Sequence, residues 1–145
     1  MSILSRAEIE IVDAVSRVFF PDNVSNRAPT IDDAGVIAYI DTFVGWMPRN
    51  EQVKLRALLQ VVERGYSVTA MSPTATFSRA DRDKQSTYLA EWERASSPAR
   101  RGVFQALRSM ISIAYMESPA VKTWMGVDER AYVGMTPETD EQPTV

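Results

Sequence analysis

The sequence contains no cysteine and no histidine among its 145 residues. The lack of cysteine excludes disulfide bonds, zinc–thiolate sites, iron–sulfur clusters and thiol catalysis. The lack of histidine removes the commonest general base, the usual haem ligand and every serine–histidine triad. Only carboxylate, lysine, tyrosine or substrate-assisted chemistry remains for an enzyme. We therefore expect a chain that is not itself an enzyme and has no catalytic, cofactor-binding or metal-binding residues.

Long apolar runs are also missing. Residues 1–20 interrupt their apolar side chains with charged ones: Arg6, Glu8, Glu10, Asp13 and Arg17. A signal peptide needs an uninterrupted apolar segment, and a membrane span needs a longer one, so we expect no direct membrane insertion. The Arg100–Arg101 pair lies too deep in the chain for a twin-arginine export signal. These observations predict a cytoplasmic protein.

The chain has no excess of positive charge: 16 lysine and arginine residues stand against 19 aspartate and glutamate residues, so the net charge is −3 and the sequence pI is about 5.0. No overall field therefore attracts the chain to nucleic acid, and we expect no nucleic-acid partner. The stretch "WERASSPARRGVFQALRSM" carries four arginines, which are too sparse for a groove-reading helix. For Arg100 and Arg101 two interpretations stay open. They bind an anion at a helix N-terminus, or, as we favour, they pair with carboxylates in this chain or across an interface.

Paired carboxylates occur three times without forming a metal motif. The pairs are Asp32 with Asp33, Asp81 with Asp83, and Glu91 with Glu93. The Glu-x-x-His pattern of di-iron bundles is absent, and so are the spaced acids and glycine of a calcium loop. No glycine-rich loop for a nucleotide phosphate is present either. We interpret the pairs as solvated helix faces.

What the sequence does contain is helical periodicity, with no strand alternation of useful length. Capping signals divide the pattern into separate helices. Ser5 and Glu8 form a capping box at the first helix, and Pro21 ends it. Thr30 or Asp32 begins the second helix.

Similar signals bound the later helices. A third helix is predicted over residues 51–64, with Gly65 as its C-terminal glycine. Ser78 is predicted to cap the fourth helix. Ser-Pro pairs start a long helix over residues 98–117 and a short one that ends at Gly126. The sequence thus predicts an all-α, compact single domain of five to six helices.

The predicted domain organisation has two parts. Residues 1–126 form the helical domain, and residues 127–145 form an irregular acidic C-terminal tail. From Gly126 onward the chain has five acids, one arginine and no periodicity. Such a segment is extended or disordered alone and could become ordered along a partner.

Helical spacing also separates core from surface. The predicted core includes Trp92, Phe104, Leu107 and Met110. The apolar face of the second helix is Val36, Ile37, Ile40, Phe43 and Val44. Trp46 and Trp124 sit near helix ends, where they fit either the core edge or an exposed anchor. Tryptophan, tyrosine, methionine and arginine are enriched at protein interfaces, so the candidate partner-binding residues are Trp46, Arg100, Arg101, Trp124, Met125 and Tyr132.

The distribution of these residues resembles the gluconate 2-dehydrogenase subunit 3 family. In the second half of the chain the resemblance rests on Phe77, Arg82, Leu89, Trp92, "ERASSPARRGVFQALRSM", Tyr115, Pro119, Trp124 and Gly126. Upstream, "FFP" and "IDTF" are also similar to the family. Two features differ from many relatives, which carry a twin-arginine signal and have tyrosine after the glycine that corresponds to Gly126.

The resemblance implies that this chain is an accessory subunit of an enzyme. Members of this family accompany a large FAD-containing subunit of the glucose–methanol–choline oxidoreductase type and bind no cofactor themselves. They are thought to support the folding, stability or export of that subunit, and in several systems a cytochrome c subunit accepts the electrons. We therefore expect an accessory subunit of a sugar or alcohol dehydrogenase, cytoplasmic or co-exported to the periplasm with a partner. The alternative is a free-standing helical regulator that binds nucleic acid or a small ligand.

Overall fold

A computed structural model describes residues 2–22 and 27–126 of the chain. The elements in these residues are α1 (Arg6–Phe19), α2 (Ile31–Ala34), α3 (Val36–Trp46), α4 (Arg49–Thr69), a 3₁₀ turn (Phe77–Arg79), α5 (Arg82–Glu93), α6 (Pro98–Met116) and α7 (Pro119–Met125). The described residues contain no strand, which confirms the all-α fold. Six of the seven helices have at least seven residues. The tail predicted over residues 127–145 lies outside the described residues.

Local capping chemistry sets several helix boundaries as predicted. The Ser5 hydroxyl accepts from the Glu8 backbone N–H, and the Glu8 carboxylate accepts from the Ser5 N–H at 2.8 Å. Ser97 accepts from the N–H of Arg100, with Pro98 in the first helical position of α6. These contacts need only residues close in sequence, which is why the sequence identifies them.

The predicted second helix is two helices joined at a bend. Thr30 caps α2 through a capping box with Asp33, as one of the two expected caps. Gly35 then adopts a left-handed conformation with φ of 66°, and α3 starts directly after it. Glycine accepts this conformation without a Cβ clash, so a single residue redirects the chain between two helices.

The prediction that Gly65 ends the third helix is wrong. Helix α4 continues through Gly65 to Thr69, and Met71 takes the left-handed conformation just beyond it, with φ of 56°. Gly65 is instead a packing position, because the side chain of Tyr88 in α5 lies against α4 at this residue. Contact with a residue distant in sequence, rather than helix termination, explains this glycine.

Ser78 was predicted to cap the fourth helix, and this is also wrong. Asp81 occupies the N-cap position of α5, while Ser78 lies in the 3₁₀ turn before it. The backbone N–H and the hydroxyl of Ser78 both donate to the carboxylate of Glu63 in α4, at 2.6 and 2.7 Å. This long-range contact uses the Ser78 hydroxyl and fixes the connector against α4.

Helix α1 lies at the centre of the packing and contacts α2, α3, α4, α5 and α6. Phe19 meets Phe104 edge-to-face at 5.4 Å between ring centroids, and Phe20 stacks on Tyr115 at 4.2 Å. The hydroxyl of Tyr115 donates to the Pro29 carbonyl at 2.7 Å, which brings the end of α6 next to the start of α2. The two halves of the chain therefore share one core.

The predicted core residues are largely confirmed. Trp92, Phe104 and Leu107 are buried, whereas Met110 is half-buried and packs at the edge of the core. In the second predicted helix Phe43 lies on the apolar face, as predicted, but 41% of its surface is exposed. None of the helices in the described ranges is long and apolar enough to cross a membrane.

Candidate partner-binding surface

An apolar groove opens between α3, α4 and α6. Its volume is about 250 Å³. The residues that line it are Tyr39, Ile40, Phe43, Met47, Glu51, Lys54, Leu55, Leu58, Ala106, Met110 and Ile113. Ile40 is fully buried and belongs to the core, while Phe43 and Ile113 are exposed along the walls. The groove therefore connects the core to the surface through apolar side chains.

The α3 wall carries an aromatic stripe. The Tyr39 and Phe43 rings are stacked, 6.4 Å apart and nearly parallel. Trp46 continues the same face at the next helical turn, with 81% of its surface exposed. Large apolar side chains that are exposed together in this way are typical of interaction sites, whereas isolated ones need no explanation. The structure thus favours the exposed-anchor interpretation of Trp46 over the core-edge one.

The groove has almost no net charge. Among its lining residues, the two charged groups are Glu51 and Lys54 of α4, which pair with each other at 3.0 Å. In α3 the single carboxylate is Asp41, which binds the N-terminal segment instead. A molecule bound in the groove would therefore contact apolar side chains and no unpaired charge among these lining residues.

Asp41 clamps the chain's N-terminal segment onto α3. Its carboxylate accepts from the backbone N–H groups of Ile3 and Leu4 at 2.9 and 2.8 Å, and from the Ser2 hydroxyl at 3.1 Å. The bond from Leu4 is the largest of the interactions that hold the pKa of Asp41 below its usual range. The aspartate of "IDTF" is Asp41, and its role in the structure is to hold the N-terminal segment against α3.

Arg100 and Arg101 join α5 to α6 within the chain. The Arg100 guanidinium lies 5.3 Å from the centroid of the buried Trp92 ring. Arg101 donates through Nη1 to the carbonyls of Ala95 and Ser96 at 2.6 and 3.0 Å, just after the end of α5. Neither of these contacts involves a carboxylate.

The carboxylate partner expected for Arg100 and Arg101 is accordingly not found among residues 2–22 and 27–126. Another arginine of the same stretch does have one, since Arg108 binds Glu93 at 3.2 Å. Both Arg100 and Arg101 are nevertheless exposed, so their contact with a partner stays a prediction.

The remaining candidate residues do not line the groove. Trp124 and Met125 are exposed on α7, which follows the C-terminal end of α6 and packs against α2 and α6. Tyr132 lies outside the described residues. The structure thus places Trp46 on the aromatic stripe and Trp124 and Met125 on a separate helix, and it does not gather the predicted interface residues into one cluster.

Of the three carboxylate pairs, Asp32 and Asp33 both make local structural contacts. Asp33 completes the capping box with Thr30, and Asp32 binds Arg17 at 2.9 Å. Within the described part of the chain, no group of three or more carboxylates lies close enough to hold a metal ion.

The groove itself was missed by reasoning from the sequence. Tyr39, Met110 and Ile113 follow helical spacing and look like ordinary core positions. A usable signal was nevertheless present, because α3 carries a single charged residue over Val36–Trp46, and α6 has none between Arg108 and Glu117. Two neighbouring helices with so few charges indicate a surface that is not simply solvated.

Comparison with known proteins agrees with the residues that carried the resemblance. A family model described as gluconate 2-dehydrogenase subunit 3 matches residues 6–129, a segment that contains all seven described helices. No curated protein and no solved structure matches the chain. Because the family model covers most of the sequence, the chain belongs to the gluconate 2-dehydrogenase subunit 3 family.

Proposed function

We propose that this chain is a non-catalytic small subunit that binds and stabilises a large FAD-dependent dehydrogenase subunit of the glucose–methanol–choline type. The family match over residues 6–129 carries the proposal, since the family is a subunit of a dehydrogenase. The substrate of the complex is a sugar or an alcohol. FAD and the reacting groups belong to the large subunit, and a cytochrome c subunit is the proposed electron acceptor.

The exposed apolar surface of the chain supports a binding role. Phe43, Trp46 and Ile113 are large apolar side chains exposed in or beside the groove. Burying such area against a partner is favourable by roughly 25 cal/mol for each Å² removed from water. A small subunit that binds only the folded large subunit also shifts the folding equilibrium of that subunit toward the native state. Binding and stabilisation are thus one physical effect.

Co-expression tests the proposal. The chain and the flavoprotein encoded by the neighbouring gene are produced together and separately, with an affinity tag on the small chain. We expect the flavoprotein to co-purify with its FAD absorbance, and its soluble yield to fall at least several-fold without the small chain. A flavoprotein that never co-purifies and is fully soluble and active alone would contradict the proposal.

The compartment of the complex is part of the same proposal. We propose that it stays in the cytoplasm unless a partner subunit carries an export signal. Fractionation of the native host, with detection of both subunits, tests this. Recovery of both in the periplasm together with a signal-bearing partner would favour co-export.

A further inference from the structure

A second cleft shares no lining residue with the apolar groove and lies where the C-terminal end of α4 meets the start of α5. Its volume is about 270 Å³. Its lining includes Tyr66 of α4, Thr76 and Arg79 of the segment that connects α4 to α5, and Lys84 in the first turns of α5. This connector cleft therefore presents hydrogen-bonding and charged groups, which the groove does not.

The Tyr66 hydroxyl is the most informative group of the connector cleft. Tyr66 is only 6% exposed, and its ring packs edge-to-face against Tyr88 at 5.3 Å between centroids. The Tyr88 hydroxyl donates to Val62, whereas the Tyr66 hydroxyl forms no hydrogen bond within residues 2–22 and 27–126. Buried tyrosine hydroxyls usually have a hydrogen-bond partner. The Tyr66 hydroxyl therefore indicates an acceptor that comes from outside these residues.

A second hydroxyl of the same lining also lacks a partner. The Oγ1 atom of Thr76 is buried and forms no hydrogen bond within the described part of the chain. The Tyr66 oxygen differs from it in being only partly enclosed, so it is the one that an incoming molecule reaches first. The large majority of buried polar side-chain atoms are hydrogen-bonded. Two unpartnered hydroxyls in one small cleft therefore indicate a bound polar molecule.

The charges around the connector cleft favour an anion. Arg79 and Lys84 are exposed in its lining, and neither forms an ion pair with another described residue. Asp81 contributes one carboxylate, so two cations stand against one acid. Asp81 also begins α5 without a side-chain cap, which leaves the N–H groups of the first turn uncapped at the cleft. The N-terminus of a helix attracts negative charge through these N–H groups and through the helix dipole.

We propose that the connector cleft binds a small oxyanion, the carboxylate or phosphate group of a soluble molecule. Arg79 and Lys84 supply the positive charge, and the Tyr66 hydroxyl donates a hydrogen bond to an oxygen of the anion. Hydrogen bonds to a charged acceptor are shorter and stronger than those between neutral groups. All of these groups belong to this chain, so the site goes beyond the proposed function and does not depend on the large subunit.

Titration of the purified full-length chain with anions tests the site. Amide NMR spectra are recorded with increasing inorganic phosphate and, separately, with malonate. Sodium chloride is adjusted to keep the ionic strength constant, because salt alone screens exposed charges. We expect saturable shifts of the amide signals of residues 76–84 with at least one of the two anions. If neither anion produces them, the proposal is overturned and ordered water is the partner of the two hydroxyls.

Three charge-neutralising variants locate the site. Arg79→Gln and Lys84→Gln each remove one cation from the cleft, and we expect each to raise the dissociation constant of the anion at least fivefold. Arg49→Gln makes the same change at the other end of α4, about 25 Å from Tyr66 at about 1.5 Å per residue. It should leave the dissociation constant unchanged. Equal weakening by all three variants would show a non-specific attraction and would overturn the proposal.

Tyr66→Phe tests the hydroxyl itself. Because this hydroxyl has no partner within the described residues, its removal should leave the melting temperature of the anion-free chain unchanged and weaken anion binding at least threefold. Tyr88→Phe is the matched control, since it removes a hydroxyl that donates to the Val62 carbonyl and should lower the melting temperature. A Tyr66→Phe chain that binds the anion as tightly as the wild type would contradict the assigned hydrogen bond.

Discussion

A Cβ atom at position 65 would lie 2.7 Å from the hydroxyl oxygen of Tyr88, closer than non-bonded atoms approach. That hydroxyl is fixed, because it donates to the Val62 carbonyl at 2.9 Å and the Tyr88 side chain is buried. Gly65 therefore leaves room for the Tyr88 side chain of α5 to reach the backbone of α4. Burial also raises the pKa of Tyr88 to about 12, so the hydroxyl keeps its proton at neutral pH.

The first prediction concerns this contact. Gly65→Ala improves helix propensity by about 1 kcal/mol, but the added methyl group collides with a hydroxyl that cannot move without losing its hydrogen bond. Overpacking of this kind costs about 1 to 3 kcal/mol. We expect a net destabilisation of about 1 kcal/mol in urea unfolding.

Two further variants test whether the Tyr88 hydroxyl causes the destabilisation by Gly65→Ala. In Gly102→Ala nothing lies within 4 Å of the added Cβ, so the helix propensity gain should appear as a stabilisation of about 0.5 to 1 kcal/mol. In a Tyr88→Phe background the obstructing oxygen is gone, and Gly65→Ala should no longer destabilise. An equal loss in both backgrounds would show that the hydroxyl is not the cause.

The second prediction concerns the N-terminal clamp. Because the folded-state pKa of Asp41 is depressed, its contribution to stability is present above the ordinary aspartate pKa of about 4 and is lost as pH falls through the folded-state value. We expect Asp41→Asn to cost about 1 kcal/mol at pH 7. The cost should decrease as the pH is lowered below the ordinary aspartate pKa and the folded-state carboxyl becomes protonated. Urea unfolding over a series of pH values measures this. Glu91→Gln, which alters an exposed carboxylate of α5, is the control, and a pH-independent difference would contradict the role of the charge.

The third prediction separates the arginines of the α5–α6 junction. Arg101→Ala removes two bonds to backbone carbonyls and should lower the free energy of unfolding by about 1 kcal/mol. Arg100→Ala removes the contact with Trp92 and should cost about 0.5 to 1 kcal/mol. Arg108→Ala removes an exposed ion pair with Glu93 and should cost less than about 0.5 kcal/mol. Chemical denaturation of the isolated subunit ranks the three, and a reversed order would contradict the assigned contacts.

The fourth prediction contrasts two tryptophans. Trp92 is 4% exposed and Trp46 is 81% exposed. Trp92→Ala should cost about 3 to 5 kcal/mol of stability, whereas Trp46→Ala should stay within about 0.5 kcal/mol of the wild type. If Trp46 is an interface anchor, its truncation should weaken binding of the large subunit by about 2 kcal/mol or more. Calorimetric titration and thermal melting together distinguish the two effects, and unchanged affinity would remove Trp46 from the interface.

The sequence predictions were accurate for contacts between residues close in sequence and failed for contacts between residues far apart in sequence. The Ser5–Glu8 capping box and the Ser97–Pro98 start of α6 were predictable because each needs only neighbouring residues. Gly65 was mistaken for a helix terminus because its contact with Tyr88 depends on a helix that comes later in the chain. A short sequence pattern carries no information about contacts with residues far away in the chain.

The candidate surface shows the same limit. Trp46 was identified as a candidate anchor from its residue type and its place near a helix end, and it is exposed. Arg100 and Arg101 were identified by their residue type and were expected to pair with carboxylates, yet their described contacts are with an aromatic ring and two carbonyls. Neither the groove nor its neutral rim could be predicted in full, because they require knowing that α3, α4 and α6 lie side by side.

The central position of α1 has a consequence for biosynthesis. Helix α1 is made early, but the aromatic side chains that cover its end, Phe104 and Tyr115, are made much later. Tyr115 and its acceptor Pro29 are 86 residues apart, which at about 5 to 20 residues per second corresponds to a delay of roughly 4 to 17 s on the ribosome. During that interval the C-terminal end of α1 lacks these aromatic partners. The nascent chain is therefore most vulnerable to aggregation before α6 emerges, and slower translation through residues 30–115 should lengthen its dependence on chaperones.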